Sequence, residues 1–338
     1  MKRFNIFDKL IFLLNSVAAT LLVLSYGLPY LPPKTFSFLS VLSLTVPFLL
    51  ALNLGFGLYW IIRLKRHFIL SLLVLLMGLN HIKSTYRFKT ISSTEPKNDL
   101  KIMSYNVRLL NYYDWIDSEE IPEQIKQFID SESPDILCIQ EYQSSIAKTI
   151  SLPFSFRSPK GLKSELVIFS KYQPIKTGII SFPNSANSAL FADFKVQSDT
   201  LRVYNIHLQS SGVNTNIDHF DSESSDKMIN QLSSTFVMQQ QQADLVVSHM
   251  TQSPYPILLC GDFNNTPYSY IYRQIKSGLK DAFEEAGNGF GQTYSMNYYP
   301  ARIDFIMVDS TITVNEFTTH NEEFSDHFPI SASLNLNN

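Results

Sequence analysis

The chain has 338 residues, of which 45% are hydrophobic, 13% aromatic and 17% charged, with a formal net charge of −3. That length allows two or three folded units, and the two cysteines, Cys138 and Cys260, lack the spacing of a thiolate metal centre. The charge divides sharply: residues 1–90 hold ten Lys or Arg and one acid, Asp8, whereas residues 91–338 hold 17 basic and 29 acidic residues, about −12.

Residues 10–31 are almost wholly apolar, long enough to cross a bilayer, and preceded by Lys2, Arg3 and Lys9. A cleaved signal peptide would end in small residues, but Val17-Ala18-Ala19 lies mid-run with leucines after it, so an anchor is expected. Pro29, Pro32 and Pro33 break the chain, and a second apolar run over 36–62 ends in Tyr59 and Trp60, followed by Arg63, Lys65 and Arg66. Aromatic belt followed by basic loop is the signature of a span ending at the cytoplasmic face. A third, shorter run reads as a span over 67–82. Residues 1–90 are therefore expected to form a transmembrane anchor of two or three helices, with spans at about 10–31, 36–62 and 67–82, and 91–98 a polar linker. With three crossings the acidic domain lies on the outer, periplasmic side of a bacterial-type inner membrane; with the third run lying in the interface it stays cytoplasmic.

Residues 99–338 are long enough to bury a large core. Short β-rich runs recur at 100–105, 135–140, 165–170, 190–196, 201–208, 256–261, 303–308 and 328–334, with helical patterns at 121–131, 235–249 and 268–277. Several strands follow one another without a helix, so two mixed sheets packed face to face, with helices outside, suit the pattern. Cys138 and Cys260 sit in strand patterns as core thiols. Residues 210–231 are polar without periodicity and read as a long loop; the run Gln239–Gln242 sits in the second helix and needs no special role.

Five short motifs end or follow these runs: Ser104-Tyr105-Asn106-Val107-Arg108, Ile139-Gln140-Glu141, Asn205-Ile206-His207-Leu208, Gly261-Asp262-Phe263-Asn264, and the closing pair Arg302-Ile303-Asp304 with Ser325-Asp326-His327. They supply hard oxygen ligands, a base, and groups able to stabilise negative charge, which divalent-metal hydrolysis of a phosphate ester requires. A carboxylate at the wet end of an apolar strand, as at Glu141, suits Mg²⁺. The guanidinium of Arg108 suits bidentate phosphate contact. Gly261 lets the backbone turn close to a ligand, and Asp262 and Asn264 aim into one cleft. No Gly-rich phosphate loop is present, which excludes P-loop nucleotide hydrolysis.

In this order the motifs resemble the endonuclease/exonuclease/phosphatase superfamily, which includes deoxyribonucleases, repair nucleases, neutral sphingomyelinases and inositol polyphosphate 5-phosphatases. The resemblance covers about 98–336 and includes the run Glu165–Ile175. It implies an α/β (α+β) fold, a four-layer α/β sandwich of two packed mixed sheets flanked by helices. It implies Glu141 as principal metal ligand, with metal contacts from Asn106 and Asp326. His207 would donate to phosphoryl oxygens, Asp262 orient or activate water, and Asn264 meet the transition-state oxyanion. Asp304 would orient His327 as base, and Arg108 bind substrate. The cofactor expected is Mg²⁺ or Mn²⁺.

The expected function is membrane-anchored hydrolysis of a phosphate ester by in-line attack of water. The substrate stays open among a lipid headgroup, a small molecule and nucleic acid. A domain near −12 with no basic stripe disfavours a long polyanion, while the anchor brings lipid headgroups within reach. The alternatives are a nuclease acting on DNA or RNA, and a catalytically silent binding module on a membrane anchor.

Overall fold

A computed structural model describes residues 5–88, 99–159, 164–212, 222–296 and 299–336. The expected linker at 91–98 lies outside them, as does 213–221 of the expected loop.

The apolar first part forms α1 (Ile6–Ser25), α2 (Ser37–Val41), α3 (Val46–Ile62), α4 (Phe68–Met77) and α5 (Leu79–Lys83). Two stretches, Ile6–Tyr30 and Ser37–Ile62, are long and apolar enough to cross a membrane; α4 is shorter, and Gly78 separates it from α5. The bundle mixes apolar and polar contacts inside, with Ala19, Leu22, Val46, Leu50 and Val74 packed together. Its interior holds Asn15, whose Nδ2 donates to Ser71 Oγ at 2.9 Å and whose Oδ1 accepts from Trp60 Nε1 at 3.0 Å, while Leu13, Val17, Leu52 and Leu73 point outward and are exposed. Polar contacts inside and leucines outside suit helices packed in lipid.

After β1 (Tyr86–Arg87) the sandwich begins: β2 (Leu100–Asn106), α6 (Ile121–Glu132), β3 (Ile136–Tyr142), β4 (Phe154–Arg157), β5 (Glu165–Ser170), β6 (Pro174–Ser181), β7 (Ser188–Val196), β8 (Asp199–His207), α7 (Ser222–Met250), β9 (Ile257–Asp262), α8 (Tyr270–Lys276), β10 (Leu279–Asp281), α9 (Ala282–Ala286), β11 (Gly289–Phe290), β12 (Tyr294–Met296), β13 (Tyr299–Ala301), β14 (Asp304–Asp309), β15 (Thr313–Thr319) and β16 (Ile330–Asn335). Two six-stranded sheets result, ordered β15-β16-β2-β3-β5-β4 and β10-β14-β9-β8-β7-β6. The pairs β2–β3 and β8–β9 are parallel, and all other neighbours within these two sheets are antiparallel.

Period two sorts the side chains. Ile102, Cys138, Val203, Cys260 and Ile306 meet between the sheets, both cysteines fully buried and free. Met103, Leu137 and Val167 face α6, which buries Ile121, Ile125 and Ile129 as one stripe. Tyr204, Leu259 and Met307 face α7 and α8 through Ala243, Val246 and Ile271. The layers run helix, sheet, sheet, helix, as expected.

The polar stretch read as a loop to residue 231 is helical from Ser222 onward; from Ser225 on, the first buried residues of α7 are Thr235 and Phe236, so its earlier turns carry no apolar stripe.

The helical bundle is bonded to the sandwich. Strand β1 pairs with β11, the amide of Gly291 donates to Thr85 O at 3.0 Å, and Arg302 Nε donates to Ser84 O at 3.0 Å. His81 stacks on Tyr268, ring centroids 5.8 Å apart.

Candidate active site

The two parallel pairs place four chemically active side chains at one rim. Register puts Asn106 beside Gln140 in one sheet, and His207 beside Asp262 in the other, with Asp304 on the far side of Asp262. Asn106, His207, Asp262 and Asp304 share strand parity with the inter-sheet core, so all four project into the space between the sheets.

Glu141 has the wrong parity for that space. A bulge between Ile139 and Tyr142, with Glu141 itself left-handed at φ 53°, turns its carboxylate inward, and Asn106 Nδ2 lies 3.4 Å from Glu141 Oε1. Bulges re-aim side chains in this way beside functional sites. The same Asn106 Nδ2 donates to Asp262 Oδ2 at 3.0 Å, while its Oδ1 accepts from the amide of Arg108 at 3.1 Å. Asn106 thus presents its nitrogen to the carboxylates.

Gly261 has φ 152°, and a β-carbon there would collide with the carbonyl oxygen of Ile206. Only glycine lets β9 lie this close to β8 just before Asp262. Beyond the strand the chain turns through Asn264 at φ 50°, so Asn264 reaches the cleft from a turn. Its amide nitrogen donates to Asp262 Oδ1 at 2.7 Å, and its Nδ2 to Leu208 O at 3.1 Å and Asp262 Oδ2 at 3.2 Å.

His327 Nδ1 lies 2.9 Å from Asp304 Oδ2, which leaves Nε2 facing Asp262 Oδ2 at 3.8 Å. His207 Nε2 lies 3.7 Å from both Glu141 Oε1 and Asp262 Oδ2, and is buried with no hydrogen-bond partner among the described residues. Arg108 Nε pairs with Asp326 Oδ2 at 3.2 Å, and its guanidinium lies over the Trp115 ring at 4.3 Å. All nine predicted residues therefore belong to one connected neighbourhood.

Burial, reinforced by the charge of Asp304, raises Asp262 to about 6. Burial also raises Glu141 and lowers His207, which favours a neutral imidazole there. For His327 burial acts downward, but the carboxylates of Asp304 and Asp262 outweigh it and hold the ring up to about 10.

Residues beyond the nine candidates complete the site. Gln140 and Asn205, both fully buried, bridge the sheets beneath the rim: Gln140 Nε2 donates to Asn205 Oδ1 at 2.8 Å, and Asn205 Nδ2 to Ile139 O at 2.8 Å. Both lie inside quoted motifs, so their identity was visible and their inter-sheet bond was not. Thr293 Oγ1 accepts from the amides of Ile303 and Asp304, each at 3.0 Å, and Tyr294 lies edge-on to His327 with ring centroids 4.8 Å apart. Ser325 Oγ donates to Asn106 O at 2.9 Å, fixing the His327 segment to β2. Arg302, quoted beside Asp304, does not enter the cleft; it is buried and pairs with Asp281 at 2.7 Å.

The donors fit a hard divalent cation. Glu141 offers a carboxylate oxygen 3.7 Å from the orphaned Nε2 of His207, Asp326 offers another beside Arg108, and Asp262, Asp304 and His327 form a buried group whose ligand atoms lie within 4.8 Å of one another. The second group already spends its atoms on the Asp304–His327 and Asn264–Asp262 hydrogen bonds. Glu141 is the less engaged carboxylate.

The sequence profile described as Endonuclease/Exonuclease/phosphatase family matches residues 103–327, and one described as a domain of unknown function matches residues 8–85. None of the curated proteins matches the chain. An endonuclease/exonuclease/phosphatase from Bacteroides vulgatus is 22% identical with a TM-score of 0.54, covering 71% of this chain and 100% of that one. D. rerio TDP2 complexed with single strand DNA product is 15% identical with a TM-score of 0.52, covering 71% and 100%. A functionally unknown conserved protein from Enterococcus faecalis V583 is 20% identical with a TM-score of 0.51, covering 70% and 99%. At these identities the likeness is one of fold.

Proposed function

The chain belongs to the endonuclease/exonuclease/phosphatase family, and on that premise we propose that it is a membrane-anchored, Mg²⁺- or Mn²⁺-dependent phosphoesterase that hydrolyses its substrate by in-line attack of water. The observation that carries this reading is the meeting of Asn106 and Glu141 from one sheet with His207 and Asp262 from the other, beside the Asp304–His327 pair.

Glu141 and Asp326 would hold the cation, which when bound supplies charge neutralisation at the phosphoryl oxygens, while Asn106, its nitrogen turned to the carboxylates, would orient them rather than ligate. Asp262, raised to about 6, is ionised at neutral pH yet basic enough to accept the attacking water's proton as the new P–O bond forms and the bond to the opposite ester oxygen breaks, that oxygen departing as an alcohol after taking a proton from solvent. Asn106, Asn264 and the backbone amide of Asn264 fix that carboxylate. His327, up to about 10, stays an imidazolium and offers its Nε2 proton to a phosphoryl oxygen. This differs from the base expected of it, because three carboxylates surround the ring rather than one. Neutral His207 donates through Nε2, and Arg108 grips a non-bridging oxygen.

The two long apolar stretches, with leucines exposed on the outside of the bundle, support membrane anchoring. The site also lies close to the anchor: Asn264 is four residues from Tyr268, which stacks on His81, and Tyr294 is four residues from Phe290, which pairs with Tyr86. Four extended residues span at most about 14 Å, so the cleft sits within reach of a headgroup layer. This favours a phosphate ester carried at the membrane surface. The alternative, a nuclease, draws on the D. rerio TDP2 complex with single strand DNA product. A panel of phospholipid vesicles, single- and double-stranded DNA, RNA and nucleotide monophosphates, assayed at several salt concentrations, decides between them. Preferential turnover of DNA or RNA would replace the headgroup reading with the nuclease one.

A further inference from the structure

Helix α7 packs on the outer face of its sheet through Ala243 and Val246, yet Gln239, near its middle, is fully buried and turned toward the catalytic rim. Its Nε2 donates to Gln209 O at 2.7 Å and to Asn264 O at 3.2 Å, and its Oε1 accepts from Asn265 Nδ2 at 2.7 Å. A glutamine amide has two N–H donors and one carbonyl acceptor, and here all three functions go to just two loops. One loop leaves β8 after His207; the other leaves β9 after Asp262. One turn along α7, Gln242 Oε1 accepts from the amide of Gln209 at 2.8 Å, and among the described residues it does not bond the second loop.

From these bonds we infer that Gln239 is a positioning residue: it clamps the loop that follows His207 and the loop that carries Asn264 at a fixed separation and holds Asn264 in its left-handed conformation. Asn264 at φ 50° occupies a backbone region that persists only where the surroundings enforce it. Its amide N–H is held by Asp262 and its side chain by Leu208. Gln239 holds the remaining backbone polar group, the carbonyl. The same side chain fixes the carbonyl two residues after His207, so the 3.7 Å approach of His207 Nε2 to Asp262 Oδ2 is set from behind the sheet. Gln239 has no bond to Glu141, Asp262 or His327 and acts only through the loops. Within the run Gln239–Gln242, unremarkable as sequence, Gln239 and Gln242 thus support the cleft.

The kinetic side of this inference rests on the phosphoesterase reading; the structural side does not. Hydrogen–deuterium exchange on the full chain in detergent, comparing wild type with Gln239→Met, Gln239→Glu and Gln242→Met, separates the two. Both Gln239 variants should speed exchange about tenfold in peptides covering 207–212 and 262–268. Gln242→Met should do so only in 207–212. Unchanged exchange at 262–268 in both Gln239 variants overturns the clamp. In phosphodiester hydrolysis Gln239→Glu, which keeps the volume but loses the donors, should lower kcat about 10–100-fold at unchanged KM. Added to Asn264→Ala it should lower kcat less than about twofold further. Fully additive losses contradict positioning through Asn264. A wild type without hydrolysis removes the enzymatic reading and leaves the exchange result to decide Gln239.

Discussion

Asn106, at the end of one sheet, donates its side-chain amide to the carboxylate of Asp262, at the end of the other, at 3.0 Å. The bond closes the cleft because both strands end at the same rim with the same parity. Each sheet has one parallel pair, β2–β3 and β8–β9, so strand ends that are distant in sequence become neighbours.

Asp262 and His327 define the expected pH dependence. The base works deprotonated and the imidazolium works protonated. Activity should therefore rise as pH passes about 6 and fall as it passes about 10. Asp262→Asn should lower kcat/KM at least about 100-fold and abolish the acid limb. Rate–pH profiles of wild type and variant check this.

Gly261→Ala tests the close approach of β8 and β9. A β-carbon would strike Ile206 O on a backbone already at φ 152°. The expected cost is about 2–4 kcal/mol of stability, read as a lower midpoint in denaturant, together with loss of activity from misaligned His207 and Asp262.

Arg302 and Asp281 are both buried, with Arg302 Nη1 2.7 Å from Asp281 Oδ2 and Tyr272 Oη donating to the same oxygen at 2.7 Å. Burial alone would raise Asp281, but Arg302 outweighs it and holds the carboxyl below its usual 3.8. That stabilisation is present above the usual value and lost as pH falls through the lowered one. Arg302→Met leaves the carboxylate buried and unpaired and should cost roughly 3–5 kcal/mol. Thermal melts against pH should show a shallower acid loss in the variant than in wild type.

The bundle also predicts a topology. Arg63 pairs with Asp8 at one end, whereas Tyr26, Val74 and His81 lie at the end that meets the sandwich. The basic loop Arg63–Arg66 and the catalytic domain therefore occupy opposite ends. A periplasm-dependent alkaline phosphatase fused at the C-terminus should be active and a cytoplasm-dependent reporter silent; the reverse pattern would place the domain inside.

Much of this was legible in the sequence, for a physical reason. Asn106, His207, Asp262 and Asp304 end or begin strongly apolar strands, where a polar residue stands out and parity dictates its direction. The strands missed in the two six-stranded sheets, β4, β6, β10 and β15, are all sheet edges, and β6 is largely exposed, so no buried stripe marked them; the two-stranded pairs β1–β11 and β12–β13 were missed as well. The first half of α7 was missed likewise: none of residues 225–234 is buried, and nothing required an apolar period. The inward turn of Glu141 depends on a bulge, and the roles of Asn205, Thr293 and Gln239 on bonds across long sequence separations, which leave no local pattern.

The central claim is that these strand ends build one metal-dependent phosphoesterase site. Its most direct test is hydrolysis of bis(p-nitrophenyl) phosphate by the purified full chain with Mn²⁺ or Mg²⁺, with EDTA, and by Glu141→Ala. Metal-dependent turnover should be abolished by EDTA and lowered at least about 100-fold by the substitution. Turnover undiminished by both treatments would contradict it.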